Sequence, residues 1–80
     1  MTKVNFMTLS EAKIGSVVRI NSIEESVLTP RLMTMGLIPG TRVEVLRSAP
    51  LGDPIAIRLR AYNLAIRKDD AARIEVSPVD

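Results

Sequence analysis

Eighty residues make one small domain, and a chain this short buries only about 60–65% of the surface it exposes when unfolded, so its core must be compact. With 46% hydrophobic and 25% charged residues the composition is ordinary globular, and a formal charge of +2 is too small to imply a polyanion partner by itself. The sequence has no Cys and no His, which excludes disulfides, thiol nucleophiles and iron–sulfur clusters, and removes the commonest general base and transition-metal ligand.

Residues 1–8 lack periodicity and are expected to form a loose N-terminal arm, with a single domain over 9–77. No apolar signal-peptide core follows the start, and no apolar run approaches the roughly 18 residues that span a bilayer. A cytoplasmic address is expected. Residues 9–13 read as one helical turn with Ser10 as N-cap and Glu11 in its first turn. Ile14-Gly15 turns the chain into a strand over 16–23, in which Val18 and Ile20 alternate with Val17 and Arg19.

The clearest local signal follows. Thr29 precedes Pro30, a residue pre-set for the first helical position, and Gly36 stands where a left-handed residue ends a helix. Leu28, Leu32 and Met35 share one face, so a short α-helix is expected over about 30–35, with Leu37 able to contact Leu32 beyond its end. Packing rather than propensity must hold so short a helix.

Ile38-Pro39-Gly40 is a turn. A strand over 42–47 puts Val43 and Val45 on one face and Arg42, Glu44 and Leu46 on the other. The Pro/Gly cluster at 49–54 separates it from the cleanest period-2 run in the chain, where Ile55, Ile57 and Leu59 alternate with Ala56, Arg58 and Arg60. Tyr62-Asn63 reads as a hairpin link into a strand over 64–67, residues 68–72 as a helical turn begun by Asp69 and Asp70, and 73–76 as a closing strand. About five short strands, one short helix and one or two helical turns describe a mainly β fold. It is expected to be a small, strongly bent barrel whose closure removes its strand edges.

Three pieces in this order carry a resemblance. They are PRLMTMGLIPG at 30–40, which resembles R-L-x-x-[LM]-G-[LM]-x-P-G; the loop APLGDPI at 49–55; and LAIRKDDAARIEV at 64–76. Together they resemble the ferrous iron transport protein A (FeoA) family over nearly the whole chain, from Leu9 to Val76. The resemblance implies an SH3-like β-barrel that is cytoplasmic and acts with FeoB, the membrane ferrous iron transporter, which carries its own G-protein domain. A regulatory role is implied rather than the pore. A similar barrel ends the iron-dependent repressors, but this chain has no room for their helix-turn-helix domain.

The residues themselves point away from catalysis and metal binding. None of the serines has a His to activate it, and the four glycines are isolated in turns rather than grouped in a phosphate loop. Glu24-Glu25 and Asp69-Asp70 are the only paired acids, and adjacent side chains diverge, so no iron site, cofactor site or catalytic residue is expected. Arg31, Arg47 and Arg58 are available as arginine fingers for a partner's GTPase, but basic residues are plentiful. Arg42, Arg58, Arg60 and Arg67 form a candidate basic stripe for nucleic acid, the alternative function. With only Tyr62 to stack on and a near-neutral charge, no nucleic-acid partner is expected.

Protein binding through apolar surface is the favoured function, because Val27, Leu28, Met33, Leu37, Ile38, Leu46 and Leu51 exceed what one small core needs. Leu51 is the most suggestive, an apolar residue at the tip of a Pro/Gly turn. The candidate partner site is Arg31, Met33, Leu37, Ile38, Arg47, Leu51 and Asp53, in a groove between the helix and the 49–54 loop. Leu37 and Leu51 serve as anchors, with Arg31, Arg47 and Asp53 at the rim. The same patch, or an open strand edge, also suits a symmetric dimer.

Overall fold

The alternation along the strands becomes an inside and an outside in the computed structural model, which describes residues 7–60 and 62–79. Six strands form one antiparallel sheet: β1 (Met7–Thr8), β2 (Val17–Ile23), β3 (Arg42–Ser48), β4 (Ile55–Leu59), β5 (Tyr62–Ile66) and β6 (Ile74–Pro78). Their order across the sheet is β1-β6-β2-β3-β4-β5. A 3-10 turn (Leu9–Glu11) and two short helices, α1 (Thr29–Thr34) and α2 (Lys68–Ala71), complete the described elements.

The inward residues of the strands are mostly β-branched, the type that suits a pleated half-buried surface. Val18 and Ile20 of β2, Val43 and Val45 of β3, Ile55, Ile57 and Leu59 of β4, Ile66 of β5, and Ile74 and Val76 of β6 are all buried. Leu9, Leu32, Leu37 and Ala71 join them from the turn, the helices and the connection after α1, closing one core. The register shifts between Ile20 and Ser22 where β2 meets β6, and between Val45 and Arg47 where β3 meets β4. Each extra residue bends its strand, and the second one is Leu46, left half-buried by the bulge.

Several expectations shift in detail. Met7 pairs with Val76 and Thr8 with Glu75, so the last two residues of the expected arm are a sixth strand, and residues 1–6 lie outside the described residues. The cap of the first turn is Thr8 rather than Ser10, its backbone N–H donating to Glu11 Oε1 at 2.8 Å. Tyr62 and Asn63 are strand residues, not a link. Pairing of Ala56 with Ala65 keeps Ile55, Ile57 and Leu59 facing inward alongside Ile66, and it sets Leu59 opposite Tyr62. Arg60, with φ 36, turns the chain between them. Closure by hydrogen bonding is also not seen among the described residues, since β1 and β5 stand at opposite ends of the sheet without pairing to each other.

Candidate functional site

Helix α1 begins one residue earlier than its Pro signal suggests, because Thr29 works backwards rather than as a cap. Its buried hydroxyl donates to the Glu24 carbonyl at 2.8 Å and accepts the Ser26 N–H at 2.9 Å, fixing the loop that leads in. The other end closes as the sequence suggests. Leu37 N–H donates to the Leu32 carbonyl at 3.1 Å and Gly36 N–H to the Met33 carbonyl at 3.0 Å, the paired bonds of a Schellman end. Gly36 has φ +101, and a Cβ there would lie 2.6 Å from the Tyr62 hydroxyl, which itself donates to the Met35 carbonyl. Glycine is therefore required twice over, by backbone conformation and by space.

This geometry corrects one expected anchor. Leu37 is 0% exposed, because the Schellman bonds carry its side chain into the core, and it cannot meet a partner without unfolding the end of α1. Met33 and Ile38 are 42% and 43% exposed, on the outer side of the helix and in the turn after Leu37. Leu28 and Leu46 are half-buried, whereas Val27 stands out at 94% exposed in the loop before α1.

The loop at 49–54 is built differently. Ala49 N–H donates to the Pro54 carbonyl at 2.9 Å and Gly52 N–H to the Ala49 carbonyl at 2.7 Å, closing the loop on itself. Asp53 Oδ1 then accepts the Lys68 N–H at 3.0 Å, satisfying one free donor at the start of α2 and tying the loop to the body of the domain. Asp53 thus has a structural duty besides its exposed position. Leu51 lies at the tip, 94% exposed, with its side chain uncommitted.

The groove beside α1 has about 570 Å³ of space, but its walls are not the expected ones. Leu28, Arg31, Leu32 and Met35 line one side, and the end of β5 with Arg67, Asp69, Asp70 and Arg73 lines the other. A separate depression runs beside the 49–54 loop, from Arg47 past Pro50 and Pro54 to Ala56 and Ala65. Ala65 of β5 stands between the two. Arg31 therefore faces the helix groove and Arg47 the loop depression, while Met33, Ile38 and Leu51 line neither. The sequence reading missed the part β5 and α2 play. Tyr62, Leu64 and Ile66 do repeat with period two, a signal that extends the strand back to Tyr62 and toward this groove.

Among the described residues the one ion pair is Arg58 with Glu44, at 3.6 Å on the surface; Arg31, Arg67 and Arg73 share the groove with Asp69 and Asp70 without a direct ion pair. The Nε of Arg73 is buried without a hydrogen-bond partner. No group of three or more His, Cys, Asp or Glu side chains among the described residues comes together to hold a metal ion. No described helix is long and apolar enough to cross a membrane.

Comparison with known proteins gives the family. The FeoA domain family matches residues 7–78. A fusion of Fe(2+) transport protein A with the Fe(2+) transporter FeoB from Porphyromonas gingivalis is 39% identical over 71 residues, covering 88% of this chain. The chain spans 8% of that relative's length. The solved structure of a FeoA-like protein from Clostridium acetobutylicum superposes with a TM-score of 0.89 at 38% identity, covering 98% of this chain and 92% of the other. FeoA of Stenotrophomonas maltophilia, described as a procaryotic SH3 domain protein and solved with zinc, matches at a TM-score of 0.78 and 25% identity, covering 89% of each chain. The bent six-stranded sheet is thus an SH3-like fold. By family match, sequence identity and superposition alike, the chain belongs to the FeoA domain family.

Proposed function

We propose that this chain is a docking module of ferrous iron uptake, without catalytic residues of its own, that binds the membrane transporter FeoB on the cytoplasmic side and regulates it. Leu51 carries the proposal. A leucine 94% exposed on a loop closed by its own hydrogen bonds and pinned through Asp53 is an apolar anchor held ready, with little ordering entropy left to lose on binding. Met33 and Ile38 add apolar contact, and Arg31, Arg47 and Asp53 form the polar rim. The fusion in Porphyromonas gingivalis joins the two modules covalently in that protein, which supports the same pairing here. A symmetric dimer using Leu51 is a competing use of the same surface.

The test is capture of the same organism's FeoB, purified in detergent, on immobilised wild type and Leu51→Asp. Capture by wild type with at least about tenfold loss in the variant is the expected result. Equal capture by a folded Leu51→Asp removes Leu51 from the interface, and no capture by wild type removes FeoB as the partner.

A further inference from the structure

The outer face of the sheet gathers charge that the near-neutral composition hides. Arg19 of β2 lies directly opposite Arg42 of β3, and Arg42 lines two neighbouring depressions, of about 300 and 230 Å³, in company with Arg60. Arg58 of β4 stands beside them, opposite Glu44, which is the one acid lining either depression. Glu44 pairs with Arg58, and Arg58 also reaches Asn63, so Arg19, Arg42 and Arg60 are left without an acidic partner among the described residues.

Two features of this cluster work against stability. Like charges directly opposite on adjacent strands repel across a short gap, and here the register fixes Arg19 against Arg42. Arg60 holds φ 36 in the turn between β4 and β5, a conformation that glycine or asparagine adopts with less strain. Arginines without acidic partners at such positions suit a ligand of opposite charge. Arg67, expected in the same stripe, is instead at the far end of β5 beside the α1 groove.

We propose that Arg19, Arg42 and Arg60, backed by Arg58, form a contact surface for the anionic phospholipid headgroups of a membrane. The proposal rests on the docking function above, since binding to a membrane transporter is what brings this domain next to a bilayer. A phosphate-bearing plane supplies the negative charge this face lacks, and each arginine near such a surface adds attraction that salt screens. Single-stranded nucleic acid fits less well, because it is held on several stacking platforms, and Tyr62 is the sole described aromatic. The membrane contact would set which way Leu51 points relative to the transporter.

The test is flotation of the full chain with vesicles of phosphatidylcholine alone or with about a third phosphatidylglycerol, free of any transporter. Binding to the anionic vesicles alone, weakening with salt, is expected for wild type. Arg19→Gln/Arg42→Gln should bind on the order of 30-fold more weakly, from about 1 kcal/mol per arginine. Arg67→Gln/Lys68→Gln makes the same change in net charge away from this face and should lose no more than about threefold. No binding to anionic vesicles overturns the proposal, and so does an equal loss in both double variants, which would make net charge the cause. Tighter binding of a 20-nucleotide single strand through the same arginines overturns it in favour of nucleic acid. Because the vesicles hold no FeoB, none of these outcomes alters the Leu51 test.

Discussion

Two turns in this molecule set a leucine beside a glycine, and they dispose of the leucine in opposite ways. In Gly36-Leu37 the leucine is 0% exposed; in Leu51-Gly52 it is 94% exposed. Both glycines have positive φ, +101 and +87, so the permissive backbone does not separate the cases. What separates them is where the neighbouring amides find acceptors. After α1 the acceptors are carbonyls of the helix itself, so the Leu37 N–H points back and its side chain follows into the core. In the 49–54 loop the acceptors belong to the loop, and nothing draws Leu51 inward. Glycine permits either turn, and the acceptors that the amides of the turn find decide whether the neighbouring leucine becomes core or surface.

The largest effect expected from this contrast is at Leu37. Leu37→Ala should cost about 2–5 kcal/mol, because it removes most of a fully buried side chain and leaves a cavity in the core. Calorimetry should then show Tm falling by roughly 10 °C or more. A loss under about 1 kcal/mol would mean that the end of α1 relaxes freely, and the contrast with Leu51 would be lost. Gly36→Ala comes next, at about 1–3 kcal/mol from its positive φ and from the approach to the Tyr62 hydroxyl. Urea denaturation in a Tyr62→Phe background separates these causes, since removing the hydroxyl opens the space and leaves the backbone strain. An equal cost in both backgrounds would place all of it in the backbone.

Most of the fold is written in local signals of this kind. Period two along Val43-Val45 and Ile55-Ile57-Leu59, and the Pro30 to Gly36 frame of α1, carry their own geometry, and the structure keeps them. What sequence cannot carry is an interaction whose partner is far along the chain. Met7 and Thr8 become a strand only because Val76 and Glu75 lie beside them, and two residues show no period to detect. Leu37 has two defensible roles by sequence, helix end and docking anchor, and only the packed core decides between them. Arg19 and Arg42 are both outward by alternation, yet their opposition depends on the register of β2 against β3, which no local pattern encodes. The groove walls moved for the same reason, since β5 and α2 reach α1 by topology.

A smaller effect belongs to the tie that holds the exposed loop. Asp53→Ala should cost a few tenths to about 1 kcal/mol, the range for losing a side-chain acceptor at a helix start. Asp53→Asn keeps an acceptor and should lose less. Hydrogen exchange at the Lys68 amide reads the bond directly, and it should speed up in Asp53→Ala before global stability has moved much. Unchanged exchange there would show that the loop stays closed by Ala49, Gly52 and Pro54 alone, with Asp53 free for a partner.

The smallest effect on stability is expected at the residue proposed to matter most for function. Leu51→Ser should shift unfolding by no more than about 0.5 kcal/mol, since a side chain this exposed gains almost nothing from folding. Chemical denaturation of the purified chain checks it, at low protein concentration so that self-association does not add stability of its own. A loss above about 1 kcal/mol would place Leu51 against other apolar surface in solution, and repeating the measurement across protein concentrations tells a second copy from its own domain. A near-zero value has the opposite meaning. An apolar side chain that folding leaves uncovered, on a loop closed by two backbone bonds and tied to the domain through Asp53, adds nothing to the stability of the fold and stays available to a partner.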